Sequence, residues 1–405
     1  MEKVAIINSV FEYGSTGLLA KQLYEYGWEN GYEAFAFYGR GIVYKNDHII
    51  KIDKAFEFYL HKLLTLITGY QGAFSKLATR KLLQFLKTKS IKKVILLNIH
   101  GYYINEKKLF DYLKSNNIQT VYVTPDEYAG LGKCCYNNGC EKYKSICDKC
   151  PQKKDYPKSL FFDRSRSIFE MKRLSYSNYD KITLIGPESN LEKFRMSALT
   201  KNMPMKRASW GIDLDTYKYM VDEGLYIKYG IPKNKVIILT VAHYSNIRKG
   251  VKKYFFELAR RLQKLDYHFI NVGYDGNLSS DEMPKNMTTI GYMDDQEELA
   301  KLYSISDLYL LASVSDTMPL SCLISFACET PVCCFYTSGL KFLAERDNPA
   351  ILYCDDINLD ALEKKVRGVQ KKDEKTRLAC RRLAENEYSK NAFNKKVYDV
   401  FEDKI

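Results

Sequence analysis

No run in this 405-residue chain approaches the ~18 consecutive apolar residues of a membrane-spanning helix. The apolar run in its opening residues, MEKVAIINSV, is too short for a secretory signal and passes straight into turn residues, so a cytoplasmic chain is expected. The five histidines are scattered and form no HExxH pair, which removes the zinc-peptidase pattern. No GxGxxG occurs, which leaves a nicotinamide enzyme without its phosphate fingerprint, and no GxSxG elbow serves a serine hydrolase. RRM, KH and zinc-finger patterns are missing too, and the cations are dispersed rather than drawn into one stripe, so no nucleic-acid partner is expected. Acids are the minority among the charges: 49 Asp and Glu stand against 62 Lys and Arg, a formal net charge of +13.

That excess suits an anionic partner such as a nucleotide-sugar or an acidic membrane face, and lysines that merely keep a surface soluble explain it equally well. With 46% apolar and 27% charged residues the chain reads as an ordered globular protein, long enough for two domains. The 33 tyrosines and 20 phenylalanines suit an interface or a sugar site, with most of them expected in core and surface packing. Eleven cysteines without an export signal argue against a disulfide framework. Five of them fall between Cys134 and Cys150, inside a loop at 132–157 that is long enough to need something to hold it. Thiolates from Cys134, Cys140, Cys147 and Cys150 around a zinc ion would form a closed, structural, tetrahedral site. Their spacing is not that of a zinc ribbon, so free or regulatory thiols stand as the other reading.

Along the chain, the strand VAIIN, the turn FEYGSTG, the helix LLAKQLYEYGWEN and the strand EAFAFYG form a βαβ unit whose loop carries Gly14 and Gly17. Residues 55–93 mix apolar and cationic residues at helical spacing and predict one or two amphipathic helices, with Lys62, Lys76, Arg80, Lys81 and Lys87 on polar faces. Packing on a sheet and resting on a membrane surface both fit that pattern. The strand KVILLNIHG, a helix, the strand TVYVTP and the cysteine loop follow. After them come a helix at 163–176, the strand KITLIGPE, the helix SNLEKFRMSALT and the strand PMKRASW. A polar linker from Gly211 to about Lys233 precedes a fresh pattern: VIILTVAH, the loop YSNIRKG, one helix over KKYFFELARRLQKL, and the strands YHFINVG, MTTIGYM and DLYLLAS. The stretch SDTMPLSCLISFACETPV then supplies a loop, a helix and a strand, with Asp316 at the loop's mouth. Two Rossmann-like α/β domains are predicted, over 1–210 and 211–388, with a helix at 389–405 crossing back to the first.

The strings ILLNIHGYYIN, GKC with CDKCPQKKDYP, IRKG, and ELAKLYSISDLYLLASVSDTMPLSCLISFACETPV resemble bacterial family 4 glycosyltransferases that build capsular, O-antigen or exopolysaccharide. The likeness keeps its order over nearly the whole chain, from GSTG and YGR to WGIDLDTY. It implies a GT-B fold, two Rossmann-like domains facing a central cleft, the first holding the acceptor and the second the nucleotide-sugar donor. It also implies a retaining transfer of a hexose, without a catalytic metal, to a lipid-linked or oligosaccharide acceptor at the inner face of the cell membrane. Negative charge grows on the departing diphosphate in such a reaction, and a fixed cation with helix N-terminal amides is the direct way to stabilise it. Lys249 matches the family's phosphate-contacting lysine, and Arg248 stands beside it. Two cations opening a helix run against its dipole unless an anion lies nearby. Asp316 matches the first acid of the family's carboxylate pair, aimed at donor-sugar hydroxyls, and Pro319, Leu320 and Ser321 place helix amides behind it. The acceptor side falls to Gly14, Ser15, Thr16 and Gly17, and to His100 and Tyr102.

Three positions depart from the family. Ile324 stands eight residues after Asp316, where a second acid grips the ribose, and isoleucine accepts no hydroxyl proton. Glu329 replaces the glycine before Thr330 and Pro331. Pro125 precedes Asp126 where the family commonly has His-Asp, so the imidazole's role passes to His100, Asp126 or Glu127, or is lost. Two expectations result. One is an active transferase with an altered nucleotide grip, using Asp126, His100 and Asp316; the other is a degenerate relative serving as a partner subunit or a sugar- or nucleotide-binding module.

Overall fold

The computed structural model describes residues 1–402 apart from Ser280, Ser315, Thr317 and Ser338. The chain divides into two units: Met1–Ala208 together with the segment from Asn394 onward, and Ser209–Phe393. The first is built on a seven-stranded sheet of β1 (Glu2–Val10), β2 (Tyr32–Arg40), β3 (Ile49–Lys51), β4 (Lys93–Leu96), β5 (Gln119–Val123), β6 (Ile182–Gly186) and β7 (Met205–Arg207). Its order is β3-β2-β1-β4-β5-β6-β7 and every pairing is parallel. The second carries a six-stranded parallel sheet of β8 (Val236–Val241), β9 (Tyr267–Val272), β10 (Met287–Ile290), β11 (Leu308–Leu311), β12 (Val332–Phe335) and β13 (Ile351–Cys354), in the order β10-β9-β8-β11-β12-β13.

The strands read as continuous apolar runs because both sheet faces are covered by helices. In β1 six consecutive residues, Val4 to Ser9, are buried, and Ala5 and Ile7 enter a core with Phe35, Phe37, Leu96 and Phe110. In the second unit the two faces feed separate cores, one around Leu239, Tyr303 and Phe326 and the other around Ile238, Phe255 and Leu310. The helix Lys390–Glu402 begins in the second unit and continues into the first from Asn394. There Asn394 Oδ1 accepts from Gln22 Nε2 at 2.7 Å and Tyr398 donates to the Leu23 carbonyl at 2.7 Å. Residues 403–405, the end of that predicted helix, lie outside the described residues.

Local structure departs from the sequence reading in three places. Helix KKYFFELARRLQKL is not uniform: Val251–Phe256 winds as a π-helical turn and only Glu257–Leu262 is α-helical. The cause lies just upstream, where Gly250 sits at φ 66 and a Cβ would stand 2.3 Å from the Ala312 carbonyl, so the entry to the helix is fixed by that close approach. The expected strand PMKRASW shrinks to the three residues of β7. The edge strands β3 and β13 were not anticipated, being three and four residues long.

Candidate functional site

In each sheet the strand order reverses at one place, between β1 and β4 in the first unit and between β8 and β11 in the second. Crossover connections diverge there, and open α/β sheets hold ligands beyond the strand ends at such points. Arg248, Lys249, Asp316 and His100 follow strands at these two reversals, whereas Asp126 and the loop cysteines follow the neighbouring β5.

In the second unit the loop after β8 is closed by Asn246, whose side chain caps the Lys249 amide. It is stitched to the chain leaving β11, since Val314 N donates to the Arg248 carbonyl at 3.3 Å. Lys249 Nζ thereby reaches Asp316 Oδ2 at 2.7 Å, and Arg248 Nη1 reaches the same oxygen at 3.2 Å. The Asp316 carbonyl in turn accepts from Gly339 N at 2.8 Å. The Asp316 and Lys249 side chains keep 13% and 21% of their surface open and Arg248 keeps 52%, so both cations are within reach of a ligand. Behind them starts the helix Leu320–Ala327, whose N-cap Pro319 offers no side-chain cap and whose first turn holds no acid. The Pro319 side chain therefore caps none of its leading amides, and Cys322 N donates to the Pro319 carbonyl at 3.0 Å. Pro319 is buried, Leu320 exposed and Ser321 half-buried.

Ile324 lies on this helix, half-buried and packed against the core around Tyr303 and Phe326. Glu329 has a structural occupation. It sits at φ 58, the conformation that favours glycine, and its carboxylate accepts from Arg377 Nε at 2.9 Å and Nη2 at 2.7 Å. Arg377 is itself stacked 3.6 Å from the Tyr219 ring centroid. The anchor offsets the backbone strain of a non-glycine residue there, about 1 kcal/mol. The departure at 329 is thus accounted for by packing.

In the first unit, His100 follows β4 and Asp126 follows the neighbouring β5, and His100 Nε2 and Asp126 Oδ2 are 2.7 Å apart. Both are buried, at 7% and 8% exposure. Asp126 Oδ1 accepts from Tyr128 N at 2.9 Å, and His100 Nδ1 lies 3.2 Å from the Tyr156 hydroxyl. Where the family places an imidazole directly before the aspartate, this chain has Pro125 and brings the imidazole from the adjacent strand. Glu127 does not join them: its carboxylate accepts from Asn137 N at 2.7 Å and pairs with Lys193. Tyr102 flanks the pair, its ring centroid 5.8 Å from that of Tyr156.

Beneath this pair lies a charged layer the sequence did not advertise. Tyr128 donates to fully buried Glu106 at 2.5 Å, and Lys172 Nζ donates to the carbonyls of Tyr128 at 2.7 Å and Leu131 at 3.0 Å. Burial raises the Glu106 carboxyl and pulls Lys172 down to about 8. Asn8 is a second residue missed. Its side chain donates to the carbonyls of Val10 at 2.7 Å and Thr16 at 2.9 Å and accepts from Asn98 N at 3.1 Å, so it ties the glycine loop to the segment carrying His100. The expected turn gives way here to the start of helix α1 (Gly14–Glu29): Gly14 stands at φ 64 with open space around it, Ser15 is exposed, Thr16 half-buried, and a Cβ on Gly17 would meet Glu12 N at 3.2 Å. Turn conformation and backbone packing explain both glycines.

The four loop cysteines are brought together in part. The Cys134 thiol hydrogen-bonds Cys150, which lowers Cys150 to about 7 and raises Cys134; burial raises Cys147 to about 11, and Cys147 neighbours both Cys140 and Cys150. Among the described residues no three of these sulfurs fall within 4.8 Å of one another, whereas one ligand atom each from His100, Asp126 and Cys135 does. An imidazole, a carboxylate and a thiol are a donor set suited to zinc.

Residues 225–389 match the family model for group 1 glycosyl transferases. An 80-residue stretch is 28% identical to the colanic acid biosynthesis glycosyl transferase WcaC of Escherichia coli K12, covering 18% of this chain and 20% of that protein. A glycosyltransferase structure from Rickettsia africae superposes with a TM-score of 0.66 at 13% identity, over 100% of this chain and 99% of that one. Anabaena HepE, solved with UDP and glucose, superposes with a TM-score of 0.62 at 12% identity over 100% of both chains. The chain has the two Rossmann-like lobes of the GT-B fold, and its second lobe matches the group 1 glycosyl transferase model over residues 225–389.

Proposed function

We propose that this chain is a glycosyltransferase that moves a hexose from a nucleotide-sugar to a lipid-linked or oligosaccharide acceptor in surface-polysaccharide assembly, at the inner face of the membrane, with retention of configuration. The observation that carries the reading is the Lys249–Asp316 pair at 2.7 Å, at the strand-order reversal and inside the stretch matching the family model. On this reading Lys249 and Arg248 turn from Asp316 to the diphosphate, and the leading amides of the helix at Leu320 add to them. Asp316, released, accepts hydrogen bonds from hydroxyls of the donor sugar. The bond from the anomeric carbon to the phosphate oxygen breaks and the acceptor oxygen takes its place on the same face. The acceptor's proton leaves with the diphosphate.

On the acceptor side, Asp126 fixes the His100 imidazole through Nε2, and an acceptor hydroxyl takes the place of the Tyr156 hydroxyl at Nδ1, with Tyr102 and the helix start at Gly14 to Gly17 completing that side. The positive charge that some transferases draw from a metal comes here from Lys249 and Arg248, so no catalytic cofactor enters the scheme. Zinc, where the cysteine loop takes it up through Cys134, Cys140, Cys147 and Cys150, would be structural.

Ile324 favours a second reading, a module that binds a nucleotide or sugar as a partner subunit without turning it over, since no carboxylate stands where the ribose would be gripped. One experiment separates the two. Thermal melts with UDP-, GDP- and CMP-sugars detect binding, a ligand at about one hundred times its Kd adding roughly 2.7 kcal/mol. Release of the nucleotide in the same samples detects transfer or hydrolysis. The HepE complex makes UDP-sugars the first donors to screen. Stabilisation with nucleotide release supports the transferase; stabilisation without release, across a panel of acceptors, supports the binding module; neither response sinks both.

A further inference from the structure

Arg40, the last residue of β2 and the end of the YGR string, has no part in the scheme above. Its strand lies beside β1, with Val10 opposite Arg40, so Arg40 stands at the carboxyl end of the sheet next to the strand-order reversal. Two glycines bring it against the segment that carries His100. At Gly39 a Cβ would stand 2.2 Å from that of Tyr103. At Gly101, φ 120, a Cβ would stand 3.1 Å from Ser9 Cβ and 3.9 Å from Arg40 Nη2. The guanidinium therefore lies against the backbone one residue after His100. The turn beyond it is held from both sides, since Tyr38 donates to the Ile42 carbonyl and Lys51 to the Gly41 carbonyl, each at 2.6 Å.

The surroundings of the guanidinium are aromatic and bring it no compensating acid. Its Cζ lies 5.5 Å from the ring centroid of Phe58 on helix α2 (Ala55–Thr68). Phe58 is 6.1 Å from the Tyr102 ring and Tyr102 is 5.8 Å from the Tyr156 ring, whose hydroxyl meets His100 Nδ1 at 3.2 Å. Burial raises the phenols of Tyr102, Tyr103 and Tyr156, and Arg40 is the nearby cation that pulls each back. Arg40 itself is exposed, and among the described residues no carboxylate pairs with it. The local acids are engaged elsewhere: Asp126 by His100 and Tyr128 N, Glu106 by the Tyr128 hydroxyl, and Glu127 by Lys193. A cation–π contact on an exposed side chain contributes little to the fold, and the fork of N–H donors stays open to a ligand.

We propose that Arg40 sets acceptor specificity by binding the carboxylate of an acidic sugar, a uronic acid at the acceptor's reactive end. The sugar's apolar face lies along Phe58 and Tyr156 while its hydroxyl meets His100. A few placed polar groups on an aromatic lining is the usual build of a small-ligand site. The planar guanidinium matches a carboxylate through two parallel hydrogen bonds. A diphosphate would call for more than one cation or for helix amides, and the neighbouring Lys51 is spent on the Gly41 carbonyl. Lys249 and Arg248 already meet the donor's diphosphate in the scheme above, so the anion at Arg40 belongs to the acceptor. The inference rests on that transferase reading and names the acceptor class, but part of its test needs no turnover.

The probes are phenyl glycosides of glucuronic and galacturonic acid, the matching glucosides and galactosides, and the two hexose 1-phosphates, with binding to the full chain read by ligand-observed NMR. A uronide is expected to bind about tenfold tighter than its neutral partner. Arg40→Gln should erase that difference and leave hexoside binding unchanged, and Arg40→Lys, which keeps the charge but not the fork, should retain part of it. Thermal melts check that both variants fold. Uronides that bind no better than hexosides, or a preference that survives in Arg40→Gln, overturn the proposal. Hexose 1-phosphates that outcompete the uronides through Arg40 overturn the carboxylate assignment, and loss of nucleotide-sugar stabilisation in Arg40→Gln would place the guanidinium on the donor instead. Nucleotide release with neutral acceptors, unchanged in Arg40→Gln and not improved by uronides, removes this subsite and leaves the transferase. An Arg40-dependent uronide preference without release from any donor keeps the subsite and removes the transferase.

Discussion

Replacing Lys249 by alanine separates a phosphate-binding lysine from a structural one. Its ammonium lies 2.7 Å from Asp316, a gross attraction of about 6 kcal/mol at an effective dielectric of roughly 20. Most of that is cancelled by desolvation and by the solvent the pair still sees, and Arg248 holds the same carboxylate oxygen at 3.2 Å. The net worth of Lys249 to the fold is therefore about 1 kcal/mol or less. Toward a diphosphate leaving group the same ammonium faces charge that grows as the bond breaks, and a prearranged donor in that role is worth about 3–4 kcal/mol. Lys249→Ala should thus melt within a few degrees of wild type while its kcat/KM for the stabilising donor falls by about 10²–10³. Arg248, more exposed and farther from Asp316, should cost about tenfold when truncated. The assay is nucleotide release with saturating acceptor, alongside thermal melts. Turnover of Lys249→Ala within threefold of wild type would refute the placement of the diphosphate.

Three further outcomes follow from the first unit. His100→Gln should retain the melting temperature to within a few degrees but lose about 10²-fold in turnover, and unchanged turnover would remove His100 from the acceptor site. Asp53 is buried before α2, where burial first and the Glu57 carboxylate second raise it to about 7. The folded state therefore binds more protons than the unfolded state between pH 4 and 7, so this group's contribution falls as pH rises through that window. Asp53→Asn should raise stability at pH 8 by up to about 4 kcal/mol and leave it nearly unchanged at pH 4; denaturant melts showing equal effects at both would contradict the assignment. Metal analysis of the purified chain separates the two candidate ligand sets: zinc removed by Cys147→Ser with Cys150→Ser belongs to the cysteine loop, zinc removed by Cys135→Ser alone belongs to the group with His100 and Asp126, and a metal-free wild type assigns the loop to free thiols.

The alternation of strands and helices was legible because two-sided burial leaves strands such as VAIIN and VIILTV as unbroken apolar runs. The π-helical turn at Val251 was not, since its cause is the contact of Gly250 with Ala312, which is distant in sequence. The short edges β3 and β13 carry too few residues to show a period. Lys249 and Asp316 were found through a motif, but their direct pairing depends on β8 and β11 being neighbours, which only the strand order reveals. His100 and Asp126 pair for the same reason, across β4 and β5. Tyr156, Asn8, Glu106 and Lys172 escaped because each acts through a partner at least eight residues away and none sits in a recognisable string.

On the proposed reading, the Lys249–Asp316 contact gives the donor site a resident competitor. A carboxylate tethered beside two cations acts at a high effective concentration, so an incoming anion must displace it rather than fill an open charge. Chloride or a single phosphate gains little from that exchange, because it satisfies the lysine and strands the aspartate. A nucleotide-sugar bound as proposed would recover both halves, giving phosphates to Lys249 and Arg248 and hydroxyls to Asp316. Selectivity for the intact donor over its fragments would then be a property of the empty site.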